Sequence, residues 1–324
     1  DSMQLISTAS AFPLPLREEA SPNSEDVKIK SSLETSTSFD FYAGPIARFL
    51  TVEFTTMTGN KPILSLLLQV TMHHIITDHW TGDLLKQDLT TLFRTSGEQI
   101  PPSLPLLPLQ YADFAVWQRT QAEQRGGDTL ERDLQYWARQ LADGPVLELP
   151  TDRPRPKLQT DKGGRVPLSI DAELLRRMMA FATAHRATPF MVGVAAWQAV
   201  LARWTRQSDV VVGTVTAGRE EEVTHNMFGY FQNALALRTR FEPGQDTFAD
   251  LVGRVREVAL EAYDHASAPF FRVVQRVLGG KRDLSRGPLY QVSLVLETRD
   301  AGFGRDGGLT NGLDWGCGVE VCGV

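Results

Sequence analysis

An apolar segment of this sequence runs into two histidines and then into a helical pattern, and it sets the strongest limit on how the chain can fold. Residues 63–72 are mostly apolar and bounded by turn residues, which predicts a buried strand. His73 and His74 follow it directly, and Asp78 comes four residues after His74. From Asp78 to residue 93, apolar side chains recur at helical spacing, so Asp78 is predicted to lie at or near a helix start.

This spacing gives the two polar side chains different chemistry. A neutral imidazole accepts a proton near pH 7, so His74 is a candidate base for an acyl transfer in which an amine or hydroxyl attacks a carbonyl. A carboxylate at a helix start is favoured by about 0.3–1 kcal/mol, so Asp78 is predicted to anchor the loop. The alternative is that His74 is an ordinary hydrogen-bonded residue at a strand end.

Composition excludes several other classes of protein. The chain has 324 residues, 42% of them hydrophobic and 22% charged, which is typical of a globular protein with a sizeable core. Its net charge of −6 and the lack of a basic run argue against nucleic acid as a partner, and no apolar run is long enough to span a membrane. Both cysteines, Cys317 and Cys322, lie near the end of the chain, which predicts neither a disulfide framework nor a cysteine metal site and favours the cytoplasm.

The sequence predicts both strands and helices, and in the second half their close spacing indicates a lobe that mixes helices and a sheet. Residues 12–25, rich in proline, serine and glutamate, are predicted to form a loop. A strand over 49–55 is joined to the histidine strand through the turn pair Gly59-Asn60, which predicts a hairpin. The second half is predicted to hold a short strand, two amphipathic helices and a buried strand, over 166–170, 171–185, 189–204 and 209–216.

A proline-rich connector is predicted to divide the chain. Residues 147–156 contain three prolines within seven positions, which makes a stiff, extended segment. We therefore predict an incomplete first lobe over 1–149, which carries the histidine motif, and a second lobe over 150–300. The glycine-rich tail over 301–324 is predicted to be loop or disordered. Because the chain begins at an aspartate, it is expected to be a piece of a longer protein.

Five segments of the sequence resemble motifs of the condensation domains of nonribosomal peptide synthetases, and they occur in that family's order. Residues 73–78, His-His-Ile-Ile-Thr-Asp, resemble the HHxxxDG signature, and 111–118 resemble "YxDYAxWQ". The "LPTDRPRP" at the end of the connector over 147–156 is also typical of the family. Residues 229–238 are similar to "GxFVNTLxLR", and 282–292 to "RDxSRxPLFQV". The family's two earliest motifs have no clear counterpart, so the domain is expected to be truncated at its N-terminal end.

The resemblance implies an α/β fold of two chloramphenicol-acetyltransferase-like lobes in a V arrangement, with the active site between them. The implied enzyme is an acyltransferase that forms peptide (amide) bonds. The amine of an aminoacyl acceptor on one carrier protein would attack the acyl or peptidyl thioester of a donor on another. Upstream and downstream carrier proteins and an adjacent adenylation domain would be its partners, with no nucleic acid and no membrane. The carriers would bear the phosphopantetheine arms, so the domain itself is expected to bind no cofactor.

The resemblance also implies roles for individual residues. His74 would hold or remove the amine proton, His73 would shape the floor of the cleft, and Asp78 would anchor the loop. Arg219, which follows the strand over 209–216, would pair with Asp78; a solvated surface arginine is the alternative. Three further residues would line the cleft or bind substrate: His79, Trp80 and Asn233. For Asn233, a hydrogen bond to nearby backbone is an equal alternative to one with a substrate amide.

The sequence departs from the family at His79, where the family has glycine. A histidine ring adds bulk at a helix start and could narrow the substrate channel. One alternative function is therefore a catalytically degenerate condensation-like domain that binds a carrier protein or a tailoring enzyme. Another is an ester-forming acyltransferase with a hydroxyl acceptor. A metal site built from His73, His74 and His79 is not expected, because suitably spaced acidic or cysteine ligands are lacking.

Overall fold

A computed structural model describes residues 16–296, apart from 22, 59–60, 96–103, 125–127, 161–162, 165, 243 and 281–282. Within these residues the strands are β1 (Leu16–Ser21), β2 (Ala47–Thr58), β3 (Lys61–Met72), β4 (Asp209–Thr216) and β5 (Asn233–Arg240). The helices are α1 (Ser24–Ser36), α2 (His79–Thr95), α3 (Tyr111–Gln124), α4 (Asp128–Gln140), α5 (Ala172–Ala184), α6 (Pro189–Thr205), α7 (Phe248–Asp264) and α8 (Phe270–Leu278). This mixture of strands and helices confirms the predicted α/β class.

Contacts between Cα atoms divide the chain into two compact units. The first comprises Asp1–Val116 and Arg219–Phe231, and the second comprises Trp117–Gly218 and Gln232–Val324. The segment Arg219–Phe231 is therefore grouped with the histidine strand although it lies between β4 and β5. This division differs from the two lobes predicted from the sequence, whose boundary at 149 stays a prediction. The predicted tail over 301–324 lies outside the described residues.

The sheet of the first unit has the order β1-β2-β3 among the described residues. β2 and β3 are antiparallel, with Ala47 opposite Met72 and Thr58 opposite Lys61, which confirms the predicted hairpin. The predicted turn pair at 59–60 lies outside the described residues. Because Met72 is paired with the first residue of β2, the chain leaves the sheet at the two histidines.

The segment predicted as a loop over 12–25 contains part of the sheet. β1 runs parallel to β2, and α1 follows it. The N-cap of α1 is Asn23, whose Oδ1 accepts the N–H groups of Glu25 and Asp26 at 3.0 and 2.9 Å. The loop prediction was wrong here because β1 alternates weakly between apolar and polar side chains and is specified by its pairing with β2.

The second unit is built around the antiparallel pair β4–β5 and the helices packed on it. Its buried core includes valines, leucines and alanines from β4, β5, α6 and α7, among them Val194, Leu201, Val210, Val212, Leu237, Val252 and Ala259. Thr188 is the N-cap of α6: its hydroxyl accepts the N–H of Met191 at 3.2 Å, and Pro189 occupies the first helical position. These elements confirm the helices predicted over 171–185 and 189–204 and the strand over 209–216.

A short segment near residue 293 is hydrogen-bonded to β4. The N–H of Gly213 donates to Val292 O at 2.9 Å, and the N–H of Leu294 donates to Gly213 O at 2.9 Å. A Cβ atom at Gly213 would overlap the ring of Tyr290, so this close approach requires glycine. The strand predicted over 166–170 was wrong: Val166 and Leu168 are 92% and 89% exposed, and among the described residues no strand pairs with them.

A buried carboxylate links α4 to the loop between α7 and α8. Asp133 is 1% exposed and its Oδ1 lies 2.8 Å from Nδ1 of His265, while its Oδ2 accepts a hydrogen bond from the hydroxyl of Ser267. Burial raises the pKa of this carboxyl, but hydrogen bonds from Ser267, His265 and Arg132 outweigh burial and leave the pKa below its ordinary value. Such a group contributes stability above its unfolded-state pKa, and that stability is lost as the pH falls through the lower, folded-state value.

Ser267→Ala is therefore expected to make the protein unfold at a higher pH during acid titration. The substitution removes one of the hydrogen bonds that lower the pKa of Asp133, so the carboxyl is protonated earlier as the pH falls. Far-UV circular dichroism between pH 6 and pH 2 measures the midpoint. Ser285→Ala is a matched control, because Ser285 makes a similar bond at 2.6 Å to Asp283, which is 54% exposed. Equal midpoint shifts in the two variants would contradict this role of the buried cluster.

Candidate active site

The loop after β3 begins with His73, which is held on several sides. Its backbone N–H donates to Ile46 O at 3.0 Å, and its Nδ1 accepts the N–H of Ile75 at 3.0 Å. Two phenylalanine rings lie nearly perpendicular to the imidazole, with centroid distances of 4.6 Å for Phe41 and 6.0 Å for Phe39. With Nδ1 used as an acceptor, the ring of His73 shapes the turn of this loop.

His74 is exposed and held in one tautomer. Its Nδ1 lies 2.7 Å from Thr77 O. A carbonyl oxygen only accepts hydrogen bonds, so Nδ1 carries the proton and the lone pair of the neutral ring is on Nε2. The ring of Tyr230 contacts the imidazole edge-on, with centroids 5.6 Å apart and planes at 78°. An imidazole with Nδ1–H fixed and Nε2 basic is the form that general base catalysis requires.

Asp78 precedes the first residue of α2 and is buried, with 6% of its surface exposed. Its Oδ1 accepts the N–H of Thr81 at 2.8 Å, which is the bond that a helix N-cap makes. Oδ2 accepts the N–H of Phe231 at 3.0 Å. The carboxylate therefore ties the histidine loop, the start of α2 and the segment Arg219–Phe231 together.

Arg219 provides the positive charge beside this carboxylate. Its Nη2 lies 3.2 Å from Oδ1 of Asp78, and its side chain is 1% exposed. Nη1 donates to the carbonyl oxygens of Thr224 and Met227, the latter at 2.8 Å. Burial lowers the pKa of Arg219, and the charge of Asp78 offsets part of that effect. A guanidinium still stays protonated at neutral pH, so the two residues form a buried ion pair.

Thr81 is a site residue that the sequence reasoning missed. It is 1% exposed, and its hydroxyl donates to Gly229 O at 2.8 Å. The same oxygen accepts the N–H of Gly229 at 3.1 Å and Nη2 of Arg219 at 3.0 Å. All the hydrogen-bonding capacity of the hydroxyl is used. In the sequence, the only indication of this role is that Thr81 is a polar residue three positions after the helix N-cap, Asp78.

Tyr111, the first residue of α3, packs directly on Gly229. A Cβ atom there would overlap the Tyr111 ring, and the Tyr111 hydroxyl donates to Tyr230 O at 2.8 Å. Burial raises the pKa of Tyr111, so this hydroxyl keeps its proton. The family-like segment 111–118 thus fixes the backbone next to Tyr230, which is consistent with a packing role for its aromatic residues.

Gly229→Ala is expected to destabilise the protein by about 1–3 kcal/mol, because the added methyl group overpacks a filled site. Urea unfolding followed by tryptophan fluorescence measures the change. Gly253→Ala is a matched control in α7, where an added Cβ meets no atom within 4 Å; there the substitution should be neutral or stabilising. Equal stability of both variants would show that Tyr111 does not require glycine at 229.

Trp80 and His79 occupy the first turn of α2. The Nε1–H of Trp80 donates to His225 O at 2.9 Å, and the residue is 40% exposed. Nε2 of His79 lies 3.6 Å from Oδ2 of Asp83, one turn further along the helix. The ring that replaces the family's glycine is thus directed along α2.

Asn233 opens β5 in the second unit. Its Nδ2 donates to Ala266 O at 2.8 Å and to Ala268 O at 2.7 Å, while Oδ1 accepts the N–H of Phe270 at 3.0 Å. Both amide hydrogens therefore bond to backbone carbonyl oxygens, as in the backbone alternative that the sequence analysis gave for Asn233. Of the two lone pairs on Oδ1, the bond from Phe270 uses one.

No cluster of three or more histidine, cysteine, aspartate or glutamate side chains in the described part of the chain is arranged to hold a metal ion. None of the helices among residues 16–296, with the gaps given above, combines the length and the apolar character that a bilayer crossing requires.

Comparison with known proteins places this site in a family. The family model of the condensation domain matches residues 1–303, so the chain belongs to the condensation-domain family, an acyltransferase family of nonribosomal peptide synthetases. The chain is 38% identical to a linear gramicidin synthase of Brevibacillus parabrevis over 302 residues, which is 92% of this chain and 4% of that protein. It is 39% identical over 235 residues to a beauvericin nonribosomal cyclodepsipeptide synthetase of Gibberella fujikuroi, covering 72% of this chain and 7% of that protein. The chain thus spans a small part of the length of each of these relatives.

Solved structures agree with this assignment. The chain is similar to the X-domain in a complex with OxyB from teicoplanin biosynthesis, with a TM-score of 0.74, 26% identity, and coverage of 86% of this chain and 60% of that chain. It also shares its fold with the condensation domain of the monacolin K polyketide synthase MokA, with a TM-score of 0.62, 22% identity, and coverage of 86% and 63%. The predicted family and the chloramphenicol-acetyltransferase-like fold are therefore confirmed.

Proposed function

We propose that this domain forms an amide bond between two carrier-bound substrates. The observation that carries the proposal is the fixed tautomer of His74, whose basic Nε2 belongs to an exposed ring on an anchored loop. The acceptor amine would attack the thioester carbonyl of the donor, forming the C–N bond. The C–S bond then breaks, and the proton lost by the nitrogen passes through Nε2 of His74 to the departing thiolate. The conversion of a thioester and an amine to an amide and a thiol is favourable, so orientation and proton transfer are the main tasks of the protein.

In this proposal four of the other site residues act through the histidine loop rather than on substrate. Asp78, Arg219 and Thr81 hold the loop, and His73 shapes its turn. Trp80 and His79 would face the substrates from the first turn of α2, and Asn233 would contribute through its remaining lone pair. The thiol arms would be phosphopantetheine groups carried by upstream and downstream carrier proteins, with an adenylation domain nearby in the synthetase. The cytoplasmic setting that cysteine usage predicts remains a prediction.

Two alternatives have specific support. The relative named as a cyclodepsipeptide synthetase favours an ester-forming reaction, because a depsipeptide contains ester bonds. The likeness to an X-domain solved in complex with OxyB favours the binding module, because that domain is bound to another protein. The anchored loop and the basic Nε2 of His74 favour catalysis over binding alone, while the sequence after residue 111 favours the peptide synthetases.

The test is an intact-mass assay with the protein and two carrier proteins, one loaded with a donor acyl group and one with an aminoacyl group. Transfer of the donor mass to the acceptor carrier, stable to mild alkali, is the expected result. Transfer to a hydroxyacyl carrier alone, as an alkali-labile product, would replace the amide proposal with the ester-forming one. Absence of transfer over a panel of donors, with folded protein that binds the carriers, would favour the binding module.

A further inference from the structure

The ring of Tyr230 contacts the proposed catalytic base. It meets the imidazole of His74 edge-on, with centroids 5.6 Å apart. Tyr230 is 38% exposed and His74 is also exposed, so this contact lies at the surface of the first unit where substrate would have to reach Nε2. Aromatic pairs attract in this geometry, so the ring limits the orientations open to the imidazole.

Hydrogen bonds hold the backbone on both sides of Tyr230, from Gly229 to Phe231. Both the N–H and the carbonyl of Gly229 bond to the hydroxyl of Thr81, at 3.1 and 2.8 Å. The carbonyl of Tyr230 accepts the Tyr111 hydroxyl at 2.8 Å, and the next N–H, that of Phe231, donates to Asp78 at 3.0 Å. Tyr230 is therefore presented from backbone tied to the starts of α2 and α3. Its ring has a defined position relative to the histidine loop.

The hydrogen bond from Nδ1 to Thr77 O does not by itself fix the plane of the His74 ring. The bond from Nδ1 to Thr77 O sets the tautomer, but the ring torsion of a histidine is broad and a single hydrogen bond lets the plane tilt. A tilt about Nδ1 moves Nε2, on the far side of the ring. Proton transfer depends on the position of that nitrogen.

We propose that Tyr230 is a positioning residue for the reaction, holding the plane of the His74 imidazole so that Nε2 faces the acceptor amine. This role rests on the proposed function. It assigns the effect to the aromatic ring, and the hydroxyl group is not needed for it. Nothing in the sequence pattern singles out this position, because it follows from a contact between residues far apart in the chain.

The experiment compares Tyr230→Ala, Tyr230→Phe and the control Phe228→Ala. Phe228 lies in the same segment and is 39% exposed. With the wild-type amide assay, Tyr230→Ala should lower kcat by up to about 100-fold, the cost of a misplaced catalytic group, with a much smaller change in KM. Tyr230→Phe should keep most of kcat, because it retains the ring.

Nitrogen-15 NMR of histidine-labelled protein supplies a readout that needs no substrate. The chain has six histidines, so a His74→Gln sample assigns the His74 signals. We expect the Nδ1–H tautomer of His74 in the wild type and in Tyr230→Phe. In Tyr230→Ala the imidazole plane is free to tilt, which weakens the Nδ1–H bond to Thr77 O, so the shifts should average toward the Nε2–H form favoured in water. Phe228→Ala should leave the His74 shifts unchanged.

Unchanged His74 signals in Tyr230→Ala would overturn the inference, and so would an equal loss of kcat in Tyr230→Phe and Tyr230→Ala. If the wild type forms no amide, the proposed function fails, while the NMR comparison still decides whether Tyr230 orients His74. The two failures are therefore distinguishable.

Discussion

Replacing His74 with alanine is expected to lower the rate of amide formation by about 10²–10⁴-fold, the range that general base catalysis contributes. The protein should stay folded, because the His74 ring is exposed and the Thr77 carbonyl that it leaves can bond to water. The measurement is the initial rate of donor transfer between loaded carriers, followed by intact mass. Thermal unfolding of the same sample checks the fold.

The matched control is His185→Ala. His185 is an exposed histidine at the end of α5, where it contacts Phe181 in the second unit. Its removal tests whether loss of an exposed histidine by itself affects the assay. Full transfer activity in His74→Ala, alongside a folded protein, would remove His74 from the proton-transfer role. The other site residues would then need a different assignment.

Arg219→Ala is expected to lower the free energy of unfolding by about 3–5 kcal/mol, because removing one partner of a buried ion pair leaves an uncompensated charge. The carboxylate of Asp78 would remain buried with its two N–H donors, and the carbonyl oxygens of Thr224 and Met227 would each lose a donor. Urea unfolding at pH 7 measures the change, and an unchanged slope would show that the unfolded state is the same. Amide formation should fall as well, since the histidine loop loses its anchor.

Arg240→Ala provides the comparison for this second prediction. Arg240 also pairs with an aspartate, but it is 68% exposed, and Asp209 keeps its bond to Arg238 at 2.7 Å. Exposed pairs of this kind contribute about 0–1 kcal/mol. If Arg219→Ala were as stable as Arg240→Ala, the buried pair would not hold the site together.

The histidine loop shows how much of this molecule is predictable from local pattern. The hairpin that ends just before His73 and the helix that starts after Asp78 follow from apolar periodicity and turn residues, and both are present. Helices α5, α6 and α7 of the second unit are equally regular, since each has a side-chain cap at its start. In these segments, neighbouring residues are enough to specify the backbone that forms.

The parts that sequence did not predict depend on contacts made across the chain. β1 exists through its pairing with β2, and the apolar residues of 166–170 form no strand because no described strand pairs with them. Thr81 and Tyr111 acquire their roles from Gly229 and Tyr230, which lie more than a hundred positions away. No local rule assigns such partners. The resemblance to a family supplied Arg219, which the structure places 3.2 Å from Asp78.

The path of the chain between β4 and β5 has a consequence for recombining such domains. Both strands belong to the second unit, whereas the intervening Arg219–Phe231 belongs to the first, so the polypeptide leaves one unit and returns to it. A chimera joined within the connector at 147–156 would take the histidine loop from one parent and Arg219 to Phe231 from the other. Asp78 and Thr81 would then come from one parent, and Arg219 and Phe231, which also bond to Asp78, would come from the other. Successful exchange of substrate preference between relatives should therefore depend on moving Arg219–Phe231 together with the histidine loop.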